Sequence, residues 1–181
     1  MSRINLYRIP KVFYSKLSEL EKGGFDSFHL PGGTSKDGKH SSFVIAWYYD
    51  EVTKDKYLLV LPYKSRFHQI ENIKISKQEE TPEATAIREF KEEVGLKIKK
   101  EDLYFFDKIS KPSNEIVGEI HIKYFYIYKK NLDMSQLSAE FSEKSGEIAS
   151  PFFLKKSFIK KHLFQGHYYS LRKIIEKRKI S

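Results

Sequence analysis

Three glutamates crowd into five positions of this chain: Glu89, Glu92 and Glu93, inside the stretch Glu80-Thr-Pro-Glu-Ala-Thr-Ala-Ile-Arg-Glu-Phe-Lys-Glu-Glu-Val-Gly-Leu96. On a helix, Glu89/Glu92 and Glu89/Glu93 are spaced i,i+3 and i,i+4, so the carboxylates are surface neighbours. At ~6 Å and an effective dielectric near 20, each like-charged pair costs about 2–3 kcal/mol, and less when fully solvated. Such a cluster is tolerable on a solvated face and useful around a hard divalent cation. On charge pattern alone both readings stand. Oxygen-only donors suit Mg²⁺ or Mn²⁺, and the absence of cysteine and of paired histidines argues against zinc.

The helix that must carry these carboxylates is well marked. Thr81 is a plausible N-cap, Pro82 falls at the first helical position, and Gly95 follows the end. At about 100° per residue, Ala86, Ile87, Phe90 and Val94 share one arc, the face to be buried, while the three glutamates share another. Around it, Ser42–Tyr49 and Tyr57–Tyr63 read as strands joined by a charged connection, a hairpin signal. Leu103–Ile109 and Glu119–Tyr128 read as two more strands, the second placing Ile120, Ile122, Tyr124, Tyr126 and Tyr128 on one face. Val12–Lys22 reads as a short helix closed by Gly23-Gly24, Gly32-Gly33 and Gly38 as a loop, and residues 157–178 as a terminal helix. The expectation is an α/β domain with helices covering a mixed sheet.

Composition sets the frame. The 181 residues are 40% hydrophobic and 31% charged, which excludes wholesale disorder. Without cysteine there is no disulfide framework and no thiol nucleophile. No apolar run approaches the roughly 18 residues of a membrane span, and the N-terminus lacks a secretory signal, so a cytoplasmic protein is expected, with no membrane partner. Pro151–Ser181 carries nine Lys/Arg against the single acid Glu176, a balance of +8 in a chain of net +9. That segment, expected to be helical over about 151–181, could attract phosphates, nucleic acid or an anionic membrane surface, or simply be a solvated face. Gly33-Thr-Ser-Lys-Asp-Gly38-Lys39-His40 falls short of a phosphate-binding loop, because His40 replaces the needed Ser/Thr and a strand-like run follows. The six histidines show no paired metal spacing. Tyr124, Phe125, Tyr126 and Tyr128 could stack on a base, but strand packing explains them as well.

Arg88-Glu89-Phe90-Lys91-Glu92-Glu93-Val94-Gly95-Leu96 resembles the core of the Nudix box in full, and Glu80 sits where the family places a Glu eight residues before the Arg. By ordinary residue frequencies the nine-position core would arise by accident in roughly one such chain in 10⁴–10⁵. One position departs: the family's leading Gly is Lys74 here. Leu30-Pro31-Gly32-Gly33 resembles the phrase that often precedes the box but lies over 40 residues too early, and is taken as a turn.

The resemblance implies a single Nudix-like α/β/α sandwich over 1–181, hydrolysing a diphosphate that joins a nucleoside to another moiety with Mg²⁺ or Mn²⁺. It implies Glu89 and Glu93 as direct metal ligands, Glu92 as a third, and Glu89 or Glu92 in catalysis. Arg88 would be a structural partner of Glu92 or Glu80. The family's general base can also lie on a later loop, where Glu147 fits best, with Glu143 and Glu140 as competitors. Two alternatives stay open: a Nudix-fold binding module of little or no activity, suggested by Lys74, and an RNA-end hydrolase, suggested by the basic C-terminus. The particular nucleotide and the oligomeric state are not legible.

Overall fold

A computed structural model describes residues 17–63, 76–114, 116–132 and 151–180. Among these are eight strands and four α-helices, in the order α1 (Leu17–Lys22), β1 (Ser27–His29), β2 (Gly32–Thr34), β3 (His40–Ile45), β4 (Trp47–Tyr49), β5 (Lys56–Tyr63), α2 (Pro82–Val94), β6 (Leu103–Pro112), β7 (Ile120–Tyr128), β8 (Phe152–Lys155), α3 (Ile159–His162) and α4 (Gln165–Ile180).

The strands form two four-stranded sheets. One is antiparallel, with β1, β4 and β8 all pairing with β5. The other runs β2-β3-β7-β6 and is mixed, because β3 and β7 are parallel, from His40 opposite Ile122 to Ile45 opposite Ile127. Apolar residues point to both faces, as expected for strands covered on two sides. One cluster joins Val44, Ala46, Tyr48, Leu59, Tyr126, Tyr128 and Phe153 to Ala86, Phe90 and Val94 of α2. The other joins Ile45, Trp47, Leu58, Phe125 and Leu154 to Ile159 of α3, Leu171 of α4 and Leu163 between them. Helices thus cover both faces, and the expected α/β/α sandwich is observed. No described helix is long and apolar enough to cross a membrane.

The run expected as one strand over Ser42–Tyr49 is two. It breaks at Ala46, whose carbonyl accepts from Leu59 N–H at 3.0 Å. β3 stays in the mixed sheet and β4 crosses to form the hairpin with β5. The alternation survives the crossing: Val44, Ala46 and Tyr48 lie under α2, Ile45 and Trp47 under α3 and α4. The period-2 pattern therefore gave the faces correctly while hiding the change of sheet.

Two expectations fail at the C-terminus. The segment from 151 begins with a strand, β8, whose Phe152, Phe153 and Leu154 are buried against β5. The helix expected over 157–178 is interrupted at Leu163 and Phe164, where Phe164 N–H donates to Phe28 O at 2.8 Å. Leu163 is itself buried among the core residues, which holds the break in place. At the N-terminus Leu17–Lys22 is helical and Gly24 takes φ 93° after it, as the Gly-Gly signal implies. The earlier part of that expected helix lies outside the described residues.

Candidate active site

α2 is the element that carries the glutamates, and its ends follow the sequence signals. Thr81 Oγ1 accepts from Ala84 N–H at 3.1 Å, Pro82 opens the helix, and Gly95 closes it at φ 86° with its N–H on Lys91 O. Ala86, Phe90 and Val94 are fully buried, so the helix is clamped by its apolar stripe. Glu89, Glu92 and Glu93 flank that stripe, partly exposed.

Arg88 lies at the centre of the polar network. Its Nε and Nη2 take both oxygens of Glu80 at 2.8 and 2.9 Å, Nη1 donates to Glu89 Oε1 at 2.8 Å, and Nη2 also reaches Thr34 O at 3.1 Å. Glu92 is further off, 3.6 Å from Nη1. Of the two partners expected for Arg88, Glu80 is the principal one, held by the bidentate geometry that makes Arg–carboxylate pairs strong. These bonds hold the Glu80 carboxyl down at about 2 and push the guanidinium further up. Glu80 is also bonded by Thr85 Oγ1 at 2.8 Å and by Lys36 N–H at 3.2 Å. Thr85 Oγ1 also lies 3.1 Å from Thr81 O and 3.0 Å from His40 Nε2, which joins the imidazole to the Glu80–Arg88 network. Burial lowers the His40 pKa, against the pull of Asp37 and Glu80.

The run Leu30–Gly33 is the largest correction. It is not a turn: Gly32–Thr34 is β2, paired with β3, and it lies directly beside α2. Gly32 N–H donates to Glu93 Oε1 at 2.7 Å. A Cβ on Gly33 would stand 2.6–2.9 Å from the carboxylate atoms of Glu89. Two successive glycines thus let a backbone pass against two of the three glutamates. Sequence distance concealed this, although the phrase itself was the available signal. Thr34, Thr85 and His40 were missed as well, with no sequence mark to reveal them.

The strand is in turn fixed from the opposite face. His167 of α4 is buried, and its Nδ1 accepts from Leu30 N–H at 3.1 Å. Burial pushes its pKa well below the usual value, so the ring is neutral. His121 is likewise buried, bonded to Ser41 Oγ at 2.7 Å. The Gly33–His40 stretch is the end of β2, a β-turn closed by Gly38 N–H on Ser35 O at 2.9 Å with Gly38 at φ 74°, and the start of β3, and not a phosphate loop. Phe125, Tyr126 and Tyr128 are buried in the sandwich, in keeping with the packing account. Lys74, Glu140, Glu143, Glu147 and His68 lie outside the described residues.

All-oxygen donors on one helix fit a hard cation. Among the described residues no three carboxylates or imidazoles converge closely enough to hold a metal by themselves. That arrangement is compatible with Mg²⁺, which keeps several waters and takes one or two carboxylates together with substrate phosphates.

A capped helix with three carboxylates, an Arg–Glu pair tying it to its own leading loop, and a sandwich holding it from below make up the site on an α/β/α frame. The NUDIX domain family model matches residues 74–168, just over half of the chain, and the protein belongs to the Nudix family. The match starts after β1–β5, so Gly32 and Gly33 lie outside it. No curated protein sequence matches the chain. Similar solved structures include a MutT/nudix family protein from Enterococcus faecalis (16% identity over 61% of this chain and 42% of that one, TM-score 0.39). The T. brucei MERS1–RNA complex is similar at 13% identity, over 65% of this chain and 51% of that one, TM-score 0.43. C. elegans Ap4A hydrolase is similar at 14% identity, over 76% of this chain and 96% of that one, TM-score 0.42. The chain thus spans about half the length of the first two.

Proposed function

We propose that this chain, acting as one Nudix unit with its basic C-terminal segment, hydrolyses the phosphoanhydride bond of a nucleoside diphosphate linked to a second group. Glu89, Glu92 and Glu93 would hold Mg²⁺ or Mn²⁺, with Glu89 or Glu92 in catalysis and Glu147 as the rival base from a later loop. The observation that carries the reading is the seating of Glu89 and Glu93 against the glycine backbone of β2. A carboxylate positioned before substrate arrives loses no further freedom in the reaction.

The bound cation would supply charge neutralisation on the phosphate oxygens and a more acidic attacking water. The protein's own part is orientation. Arg88 holds Glu89 toward Thr34 and Glu80, the Gly32 N–H fixes one oxygen of Glu93, and Phe90 and Val94 prevent the helix from rolling.

The test is a panel of ADP-ribose, dinucleoside polyphosphates, NADH, coenzyme A, nucleotide sugars and nucleoside triphosphates, assayed with Mg²⁺ and then Mn²⁺ for phosphate-containing products. Hydrolysis of at least one, abolished by chelator and lowered at least about 10²-fold by Glu93→Gln or Glu89→Gln with the fold intact, is expected. Variants as fast as the parent would overturn the assignment.

A further inference from the structure

Away from α2 and β2, a cleft of about 540 Å³ opens between the β4–β5 turn, the end of β8 and the start of α3, with Tyr168 and Ile175 of α4 in its wall. Its lining holds five lysines, Lys54, Lys56, Lys155, Lys156 and Lys160, against one acid, Asp55. Two separate parts of the chain contribute them, the β4–β5 turn and the run from the end of β8 into α3, so the charge converges across the fold. Like charges gathered in a concave surface repel, and the field they focus is strongest for a ligand of opposite sign.

The local geometry keeps the lysines there. Lys155 Nζ is 3.6 Å from Asp55 Oδ2, and Lys56 Nζ stands 4.4 Å over the Trp47 ring. Lys54 is the one non-glycine residue at positive φ among the described residues, at 64°, its N–H bonded to Asp50 O at 2.7 Å. Glycine or asparagine would adopt that left-handed conformation more readily. A lysine held there places its charge at the cleft against local preference.

We propose that this cleft binds the phosphate backbone of a single-stranded nucleic acid. Charge selects a polyanion. Tyr168 and Ile175 give the cleft an apolar wall against which an unpaired base can lie, a contact that a duplex with its bases stacked inside does not offer. Lys161 of α3 and Arg172 of α4, both exposed, add positive charge on the two helices that line the cleft. The site shares no residue with the glutamate helix, so it stands or falls separately from the proposed hydrolase activity.

The experiment is fluorescence anisotropy of a labelled 12-nucleotide RNA with the full chain, from 50 to 300 mM salt. Binding that weakens steeply with salt is expected, with a log–log slope of about −2 to −3.5 for three to five neutralised phosphates. Lys156→Ala/Lys160→Ala should weaken it at least about tenfold and reduce the slope by about 1.4. Lys54→Asn, at a different part of the wall, should weaken it in the same direction. Glu93→Gln should bind RNA as the parent does. No binding at 50 mM salt, or lysine variants that bind like the parent, would overturn the proposal. So would binding of phosphatidylserine vesicles without binding of the oligonucleotide, which would assign the cleft to a membrane surface instead.

Discussion

Gly32 and Glu93 are 61 residues apart in the chain, and the Gly32 N–H donates to the Glu93 carboxylate at 2.7 Å. The neighbouring Gly33 packs against the Glu89 carboxylate. A strand that precedes the helix by some fifty residues therefore acts as the wall of the glutamate cluster, and it does so only because neither residue has a side chain.

The two glycines should respond differently to alanine. At Gly33 the added methyl meets the far end of the Glu89 side chain, which can swing away at little cost to folding but loses its place beside Arg88. Gly33→Ala is expected to lower hydrolysis at least about tenfold while changing stability by under about 1 kcal/mol. At Gly32, φ is 154° and the methyl would strike the Ser42 carbonyl and the Phe43 backbone, which cannot yield. Gly32→Ala should cost about 2–4 kcal/mol, from strain and overpacking. Thermal melting beside a turnover assay separates the two. Equal effects of both substitutions on melting would contradict this account of the wall.

The helix bearing the glutamates was legible because everything that specifies it is local: a cap, a proline, a terminal glycine and an apolar stripe at i, i+4 and i+8 from Ala86 to Val94. The box resemblance identified its chemistry from nine residues. What could not be read was non-local. Ala46 gives no sign that the chain changes sheet there, because both strands obey one alternation. Phe152-Phe153-Leu154 is too short to distinguish strand from helix end by periodicity. The Leu30–Gly33 phrase reads as a turn only by its sequence distance from the box, which measures nothing once β3, β4 and β5 fold between it and α2.

Glu80 gives the site an acid-sensitive support. Its hydrogen bonds from Arg88, and then Thr85, set its pKa at about 2 against an ordinary 4.5. With the folded pKa below the unfolded one, the unfolded chain binds the proton first as pH falls. The contribution is present above about 4.5 and is lost between there and about 2. It amounts to roughly 2–3 kcal/mol, the Glu80 side chain being 8% exposed. Glu80→Gln should lower stability at pH 7 by about that amount and flatten the acid limb of a melting-temperature profile over that interval. An unchanged acid limb would remove Glu80 as its source.

His167 acts in a higher pH window. Buried and neutral, it has a folded pKa depressed below 6.5, so the unfolded chain protonates first once pH falls under about 6.5, and stability declines from there by up to about 1.4 kcal/mol per pH unit. Phenylalanine would suit the surrounding Phe43, Phe125 and Phe164 rings but would leave Leu30 N–H without its acceptor. His167→Phe is expected to be less stable than the parent by about 1–3 kcal/mol at pH 7.5, with the gap narrowing by about 1 kcal/mol at pH 5.5. Denaturant unfolding at the two pH values measures both. A gap that is constant with pH would mean that the buried imidazole does not titrate with unfolding.

Lys54 offers a test in which stability and binding move in opposite directions. A non-glycine residue in the left-handed region costs roughly 1–2 kcal/mol, and asparagine tolerates that region better because its short side chain bonds locally. Lys54→Asn should therefore raise the melting temperature, by an amount equivalent to up to about 1 kcal/mol. It also removes one of five positive charges from the cleft, so it should weaken the oligonucleotide while leaving turnover of a small nucleotide unchanged. A residue kept for the turn alone would show the first effect without the second. If Lys54→Asn is more stable and binds RNA with undiminished affinity, the cleft is not where the oligonucleotide binds.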